Sequence, residues 1–288
     1  MDSLFEQIEE WLCGLLITGI MNNMTGVYDL VNQRVGEITT WVGTTPENFA
    51  PEVFTLIKNL SENVIMPIAG IVLTFIACYE LIQLVISHNN LANFETWIFF
   101  KWIFKTFLAV ELISNTFNIC MAVFDVAQYV VEQSGGIITQ STAIDASALA
   151  TMQATLETYE FGILIDLFIL TFLCKFLIEI LATIIFVIVY ARMIEIYMMV
   201  SLAPIPFATF GNKEQSMMGQ NYVRSLIAIG LQGFLIMVCV GIYAVLIQNV
   251  AFSEDIEVSI FSAMGYTVLL AFSLFKSGTI AKSILHAH

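Results

Sequence analysis

The sequence predicts an all-α, polytopic membrane protein with about five transmembrane helices, an outside N-terminus and a cytoplasmic C-terminus. Three observations carry this: the composition, five long apolar runs, and the way the basic residues fall between them. Of the 288 residues, 58% are hydrophobic and 12% charged, and the mean hydropathy is +0.85. Soluble domains are about 45–50% apolar and about 25% charged. So few charges leave too little polar surface to cover a water-exposed globule, whereas a surface facing lipid needs none.

The first 60 residues stand apart from the rest. They are rich in acids and punctuated by Gly26, Gly36, Gly43, Pro46 and Pro51, while Val27, Leu30, Val31, Val35, Ile38 and Trp41 recur at helical spacing. This pattern predicts one or two amphipathic helices lying on the membrane or a partner, or packed as a cap. The segment 1–60 is assigned outside the cytoplasm, and 61–288 is assigned as the membrane domain. The opening MDSLFEQIEEW is acidic, unlike the basic start of a signal peptide, and the run Leu12–Met21 is shorter than the ~20 residues a span needs.

The first span is read at about 63–87, uncharged until Glu80, and the second at about 97–124, carrying Lys101, Lys105 and Glu111. A polar stretch follows over 125–160, and its SGGIITQSTAIDAS (134–147) reads as a loop with short helices. The third span, about 162–190, holds Lys175 and Glu179. Beyond it an apolar segment, 196–210, is broken by Pro204 and Pro206 and reads as re-entrant or interfacial. The fourth and fifth spans, about 225–251 and 258–275, contain no Asp, Glu, Lys or Arg.

Orientation follows from charge. Lys101 and Lys105, then Arg192, Lys213 and Arg224, then Lys276 and Lys282 form three basic groups, whereas Asp125–Asp166 and Ser253–Glu257 carry acids and, apart from the spans themselves, no base. The positive-inside rule places the basic groups in the cytoplasm, and they share one side only if the number of spans is odd.

Function classes narrow by elimination. A net charge of −14 with ten Lys and Arg rules out a nucleic-acid binder that works by phosphate attraction, although contact with nucleic acid inside a channel is compatible with it. With three histidines, His88, His286 and His288, no HExxH motif or Ser–His–Asp arrangement has material to draw on, and no GxxxxGK[ST] or GxSxG is present. We therefore expect no enzyme, no metal and no cofactor. Cys13, Cys78, Cys120, Cys174 and Cys239 all lie in apolar runs and read as buried small hydrophobes.

The candidate functional residues are the ionisable and amide side chains within the spans, each costly in lipid and so expected to face protein or a cavity. Lys101, Lys105, Glu111, Asn115 and Asn118 form a drifting stripe that reads as a hydrophilic path or subunit contact, or as a snorkelling Lys101 with Glu111 paired internally. Glu80 lies at the depth of Lys101 and Lys105 and suits a cross-helix pair. Lys175 and Glu179, one turn apart, read as an ion pair or a docking contact. Arg192 and Glu195 bracket the end of the third span, with Arg192 at the interface. Pro204 and Pro206 form a hinge, a docking surface for a cytoplasmic partner, or a simple reversal.

Five stretches carry a family resemblance. They are PIAGIVLTFIACYELIQLVI (67–86), FFKWIFKTFLAVELISNTFNI (99–119), VYARMIEIYMMVSLAPIPFATFGNKE (189–214), GQNYVRSLIAIGLQGFLIMVCVGIYAVL (219–246) and GYTVLLAFSLFKSGTIAKSI (265–284). Over about 60–288, and most strongly over 189–246, the chain resembles the TrbL/VirB-type conjugal transfer proteins of Gram-positive mobile elements. The resemblance implies a multi-pass cytoplasmic-membrane subunit of a type IV secretion system, present in several copies. It would act with other channel subunits and separate ATPases, and would help form the path of DNA and its relaxase. It transfers no catalytic motif. The competing class is an autonomous solute or ion transporter, compatible with the broken segment, although no inverted repeat accompanies it.

Overall fold

The computed structural model describes residues 2–87, 96–138, 146–212, 214–251 and 256–287. Among them every regular element is helical: α1 (Asp2–Val42), α2 (Pro46–Phe49), α3 (Pro51–Leu60), α4 (Met66–Ser87), α5 (Thr96–Ser114), α6 (Thr116–Ile138), α7 (Ala146–Leu156), α8 (Phe161–Leu202), α9 (Pro204–Ala208), α10 (Ser216–Ala251) and α11 (Ile256–Ile284). Four helical stretches are long and apolar enough to cross a membrane: Pro51–Ser87, Phe161–Leu202, Ser216–Gln248 and Ile256–Ile284. A fifth arises if the bent pair α5–α6 counts as one. The polytopic α-helical fold class is thus that of the structure. His88, His288 and Lys213 lie outside the described residues, as does most of the Ser/Thr-rich stretch after Ile138.

Several boundaries differ from hydropathy, each for a local reason. The first apolar helix starts at Pro51, not near residue 63, because a single π turn (Ser61–Ile65) joins α3 to α4 without ending the helix. Its start is set by Ala50, extended at φ −150° before proline, and by Pro51 at the first helical position. The second apolar run is not one straight helix, since α5 and α6 meet at 64°. At that junction the Asn115 amide donates to the Glu111 carbonyl (3.0 Å) and the Thr116 hydroxyl to the Leu112 carbonyl (2.8 Å). The Glu111 carbonyl keeps its bond from the Asn115 backbone N–H (3.1 Å), and the two side chains turned back onto successive carbonyls favour a bend at this point. The third run does not end near residue 190; α8 continues for 42 residues, about 63 Å, until Ala203 and Pro204 stop it.

The chain divides into two compact units. Unit 1 comprises Met1–Val42, Val131–Val189 and Leu235–Ser277. Its core joins Ile20, Met24, Val27, Val35 and Ile38 of α1 to Leu164, Leu167, Ile178 and Ile185 of α8, and to residues of α10 and α11 such as Ile236, Val240, Ile260 and Leu274. Outward it presents Phe172, Phe176 and Ile180 of α8 and Phe261, Leu269 and Phe272 of α11, an apolar surface suited to lipid.

Unit 2 comprises Gly43–Val130, Tyr190–Phe234 and Gly278–His288. Its core gathers Leu73 of α4, Ala109 and Ile113 of α5, Phe117, Cys120 and Phe124 of α6, Met193, Ile196 and Val200 of α8, Phe207 of α9, and Leu226 and Ile229 of α10. Here α9 packs on α4 and α5. The cysteine expectation fails at one position: Cys120 and Cys174 are buried, Cys13 and Cys239 half-buried, but Cys78 is exposed among outward apolar side chains of α4.

Candidate functional site

In unit 2 the hairpin of α4 and α5 brings Glu80 and Lys105 together, with the Lys105 ammonium donating to Oε1 of Glu80. One turn away the Trp102 indole N–H donates to the Ala77 carbonyl at 3.2 Å, tying the two helices at the same level. An open cleft of about 470 Å³ beside the pair is lined by Glu80, Gln83, Leu84, Ile86, Ser87 and Glu214. Lys101 does not join the pair. It is exposed and lies 5.6 Å from the centre of the Trp97 ring, a cation–π contact at the start of α5.

The remaining members of the predicted stripe sit at the bend. Glu111, Asn115 and Asn118 are all exposed, and the Asn115 amide also reaches Oε2 of Glu111 at 3.3 Å. The stripe expected on one straight helix is therefore split, with the lysines on α5 and the two asparagines at and beyond the junction.

Lys175 and Glu179 do not form the expected intrahelical pair; among the described residues no ion pair joins them. The Lys175 ammonium instead lies over Gly26 of α1, where a Cβ would stand 3.2 Å from it. A glycine leaves room for the amine, and a direction of approach from α1 is invisible in the α8 sequence alone. Glu179 is exposed among Phe176, Leu177 and Ile180.

Arg192 is buried in unit 2. It is 6% exposed, and its Nε donates to the Ile229 carbonyl of α10 at 3.3 Å. Because α8 runs on to Leu202, Arg192 falls inside the helix rather than at its end. Glu195, three residues on, accepts from the Lys282 ammonium of α11 at 2.8 Å. A buried guanidinium and an interhelical ion pair thus tie α8 to α10 and α11 within unit 2.

Pro204 and Pro206 open α9, whose reversal is tightly fastened. The Thr209 hydroxyl donates to the Pro206 carbonyl (2.7 Å) and accepts from the Gly219 amide (3.0 Å). A Cβ at Gly219 would stand 2.8 Å from the Pro206 carbonyl oxygen, so only glycine allows α10 to pass so close. Phe207 stacks edge-on against Phe210 and Tyr222, and the Tyr222 hydroxyl donates to the Met199 carbonyl at 2.8 Å.

Sequence reasoning missed Tyr197 and the docking of α1 on α8, though it expected helix in this segment. The Tyr197 hydroxyl donates to the Pro46 carbonyl at 2.6 Å and fixes the start of α2 to α8. Helix α1 carries Asn23, whose amide reaches the Thr171 hydroxyl at 3.4 Å. The signal was present as the seven-residue spacing of Gly19 and Gly26, which allows a close approach by another helix.

A family model described as TrbL/VirB6 plasmid conjugal transfer like protein matches residues 31–204. The match takes in the second half of α1, where the sequence resemblance was weak, and ends at the proline break after α8. No curated protein and no solved structure matches the chain. The match covers well over half of the chain and all of α2 to α8, and with it the bundle of apolar helices is identified: the chain belongs to the TrbL/VirB6 plasmid conjugal transfer-like family, whose members are membrane subunits of conjugative type IV secretion systems.

Proposed function

We propose that this chain is a channel or scaffold subunit of the cytoplasmic membrane and helps form the path taken by DNA and its relaxase. The observation that carries this reading is the family match lying over helices that expose polar groups among apolar ones, Glu111, Asn115 and Asn118 in particular. Several copies assemble with other secretion subunits and draw energy from separate ATPases. The N-terminus lies outside, the C-terminus lies in the cytoplasm, and the acidic segment 125–160 lies outside, as the basic groups indicate.

In this reading Glu80, Lys105, Glu111, Asn115, Asn118 and Glu179 serve the path or contacts between subunits. Lys101 anchors α5 through Trp97, and Lys175 docks α1. Arg192 and Glu195 hold the helices that present the Pro204–Pro206 turn, on the cytoplasmic side, to a partner. The test is an in-frame deletion in a donor cell. Transfer should be abolished and then restored by the gene in trans, with the cell's solute uptake unchanged. Transfer at normal frequency, or a transport defect alone, would favour the autonomous transporter instead.

A further inference from the structure

Unit 1 contains one helix that does not match its surroundings. α8 over 161–189, α10 from Leu235 and α11 to Ser277 present apolar side chains outward, and Val258–Phe275 carries no charge. α1 packs along α8 in parallel: Gly19 lies against Phe168, Asn23 meets Thr171, Gly26 lies under Lys175, and Trp41 meets Phe186 with ring centroids 5.1 Å apart. These contacts run along the same stretch of α8 that turns Phe172, Phe176, Ile180 and Ile184 outward, so α1 lies at the depth of those side chains.

The buried face of α1 is apolar, with Ile20, Met24, Val27, Tyr28, Val35, Ile38 and Val42 all at most 3% exposed. Its opposite face is polar. Thr18, Asn22, Asp29, Gln33, Gly36 and Thr40 are exposed, and with half-buried Thr25 they recur at steps of three and four, one line along the helix. Thr18 to Thr40 extends about 33 Å, the thickness of the hydrocarbon core.

Part of this face satisfies itself. The Thr18 and Thr40 hydroxyls donate to the Gly14 and Gly36 carbonyls, the Gln33 amide donates to Glu37, and Arg34 pairs with Glu37 at 2.5 Å. Asn22 and Asp29 have no partner among the described residues. An aspartate facing lipid at the bilayer centre costs about 2.5–3.5 kcal/mol, so the face needs something other than lipid against it. Between Thr18 and Thr40 its described side chains include no large exposed apolar group for a second helix to grip and no cluster of opposite charges for a partner to match. Water satisfies every group on it.

We infer that α1 crosses the membrane beside α8 and that its Thr18–Thr40 face lines an aqueous path. The inference deepens the transfer-path reading and rests on it for the identity of the cargo, but not for the presence of water. A wall with one uncompensated charge, Asp29, holds no polyanion and so lets one slide. Trp11, 65% exposed, and Trp41 flank the stripe about 45 Å apart, where aromatic anchors at the two interfaces belong. Because α1 and α8 run parallel, the Val42 end of α1 lies on the side of Val189, the cytoplasmic side in the orientation proposed above.

The test is thiol labelling in intact donor cells, in a chain whose five native cysteines are replaced, using a small membrane-impermeant methanethiosulfonate. Asn22→Cys, Asp29→Cys and Gln33→Cys should label at least tenfold faster than Phe172→Cys and Phe176→Cys, and Glu47→Cys should label only after the cytoplasmic side is opened. Stripe positions that label no faster than the lipid-facing ones in cells, yet react readily in detergent, would show a face covered by protein and overturn the inference. So would labelling of Glu47→Cys from outside. Neither readout uses DNA transfer, so loss of the transfer reading leaves the result standing, and the reverse.

Discussion

The two units distribute their polar groups differently. Unit 2 turns them onto one another or onto backbone: Lys105 onto Glu80, Lys282 onto Glu195, Arg192 onto the Ile229 carbonyl and Tyr197 onto the Pro46 carbonyl. Its outward polar group, Glu111 with Asn115 and Asn118, sits at the bend where the Asn115 and Thr116 side chains turn back onto carbonyls. Unit 1 pairs a few polar groups inside, Tyr243 with Thr267 and Asn23 with Thr171, and places a line of polar groups outward on a single helix. Polar residues turned inward hold helices in register, whereas a line of them turned outward at membrane depth asks for water or a partner. The sequence positions alone do not separate the two cases, because both appear as isolated polar letters in apolar runs.

Four changes sharpen or break this contrast, ordered by expected effect on stability. Gly19→Leu is the largest. A Cβ there would stand 2.6 Å from the Phe168 ring, so the ring must turn aside or α1 lift from α8, at a cost of about 1–3 kcal/mol. Thermal unfolding in detergent should show the loss, and Phe168→Ala should recover part of it; no recovery would mean that the two helices do not meet there.

Next is Tyr197→Phe, which removes the donor to the Pro46 carbonyl and should cost about 1 kcal/mol in the same assay. An unchanged melting temperature would remove Tyr197 as the fastener of α2. Third, a double-mutant cycle of Glu80→Gln and Lys105→Met should give a coupling of about 0.2–1 kcal/mol, since both side chains are partly exposed, at 20% and 40%. Zero coupling in the membrane would free the pair for a role in the path. Fourth, Asn22→Leu, Asp29→Leu and Gln33→Leu together should move stability by no more than about 0.5 kcal/mol per site while lowering transfer frequency. Normal transfer with all three leucines would leave the stripe without a part in conjugation.

How much of this could be read from the sequence depends on whether a feature is local. The apolar helices were legible because hydropathy reports each residue's own solvent. The break after α8 was legible because Pro204 and Pro206 act on their own backbone. The bend at Asn115 was not, since Asn and Thr in a helix bend it only when their side chains turn back onto carbonyls. The burial of Arg192 was not legible because nothing local marks the further turns of α8 or the Ile229 carbonyl that meets it.

The direction of Lys175 depended on Gly26, 149 positions earlier in the chain. The membrane depth of α1 was hidden most fully. A helix with one wet face fails any test of average hydropathy, and only its contacts with Phe168, Thr171 and Phe186 reveal where it lies.

The most direct test joins the two halves of the account. In donors carrying Asp29→Cys in the cysteine-replaced chain, transfer is measured before and after modification by a bulky, impermeant thiol reagent, with Phe172→Cys as control. The account predicts that modification at position 29 blocks transfer and that the control is unaffected. Complete modification at position 29 with transfer undiminished would contradict it.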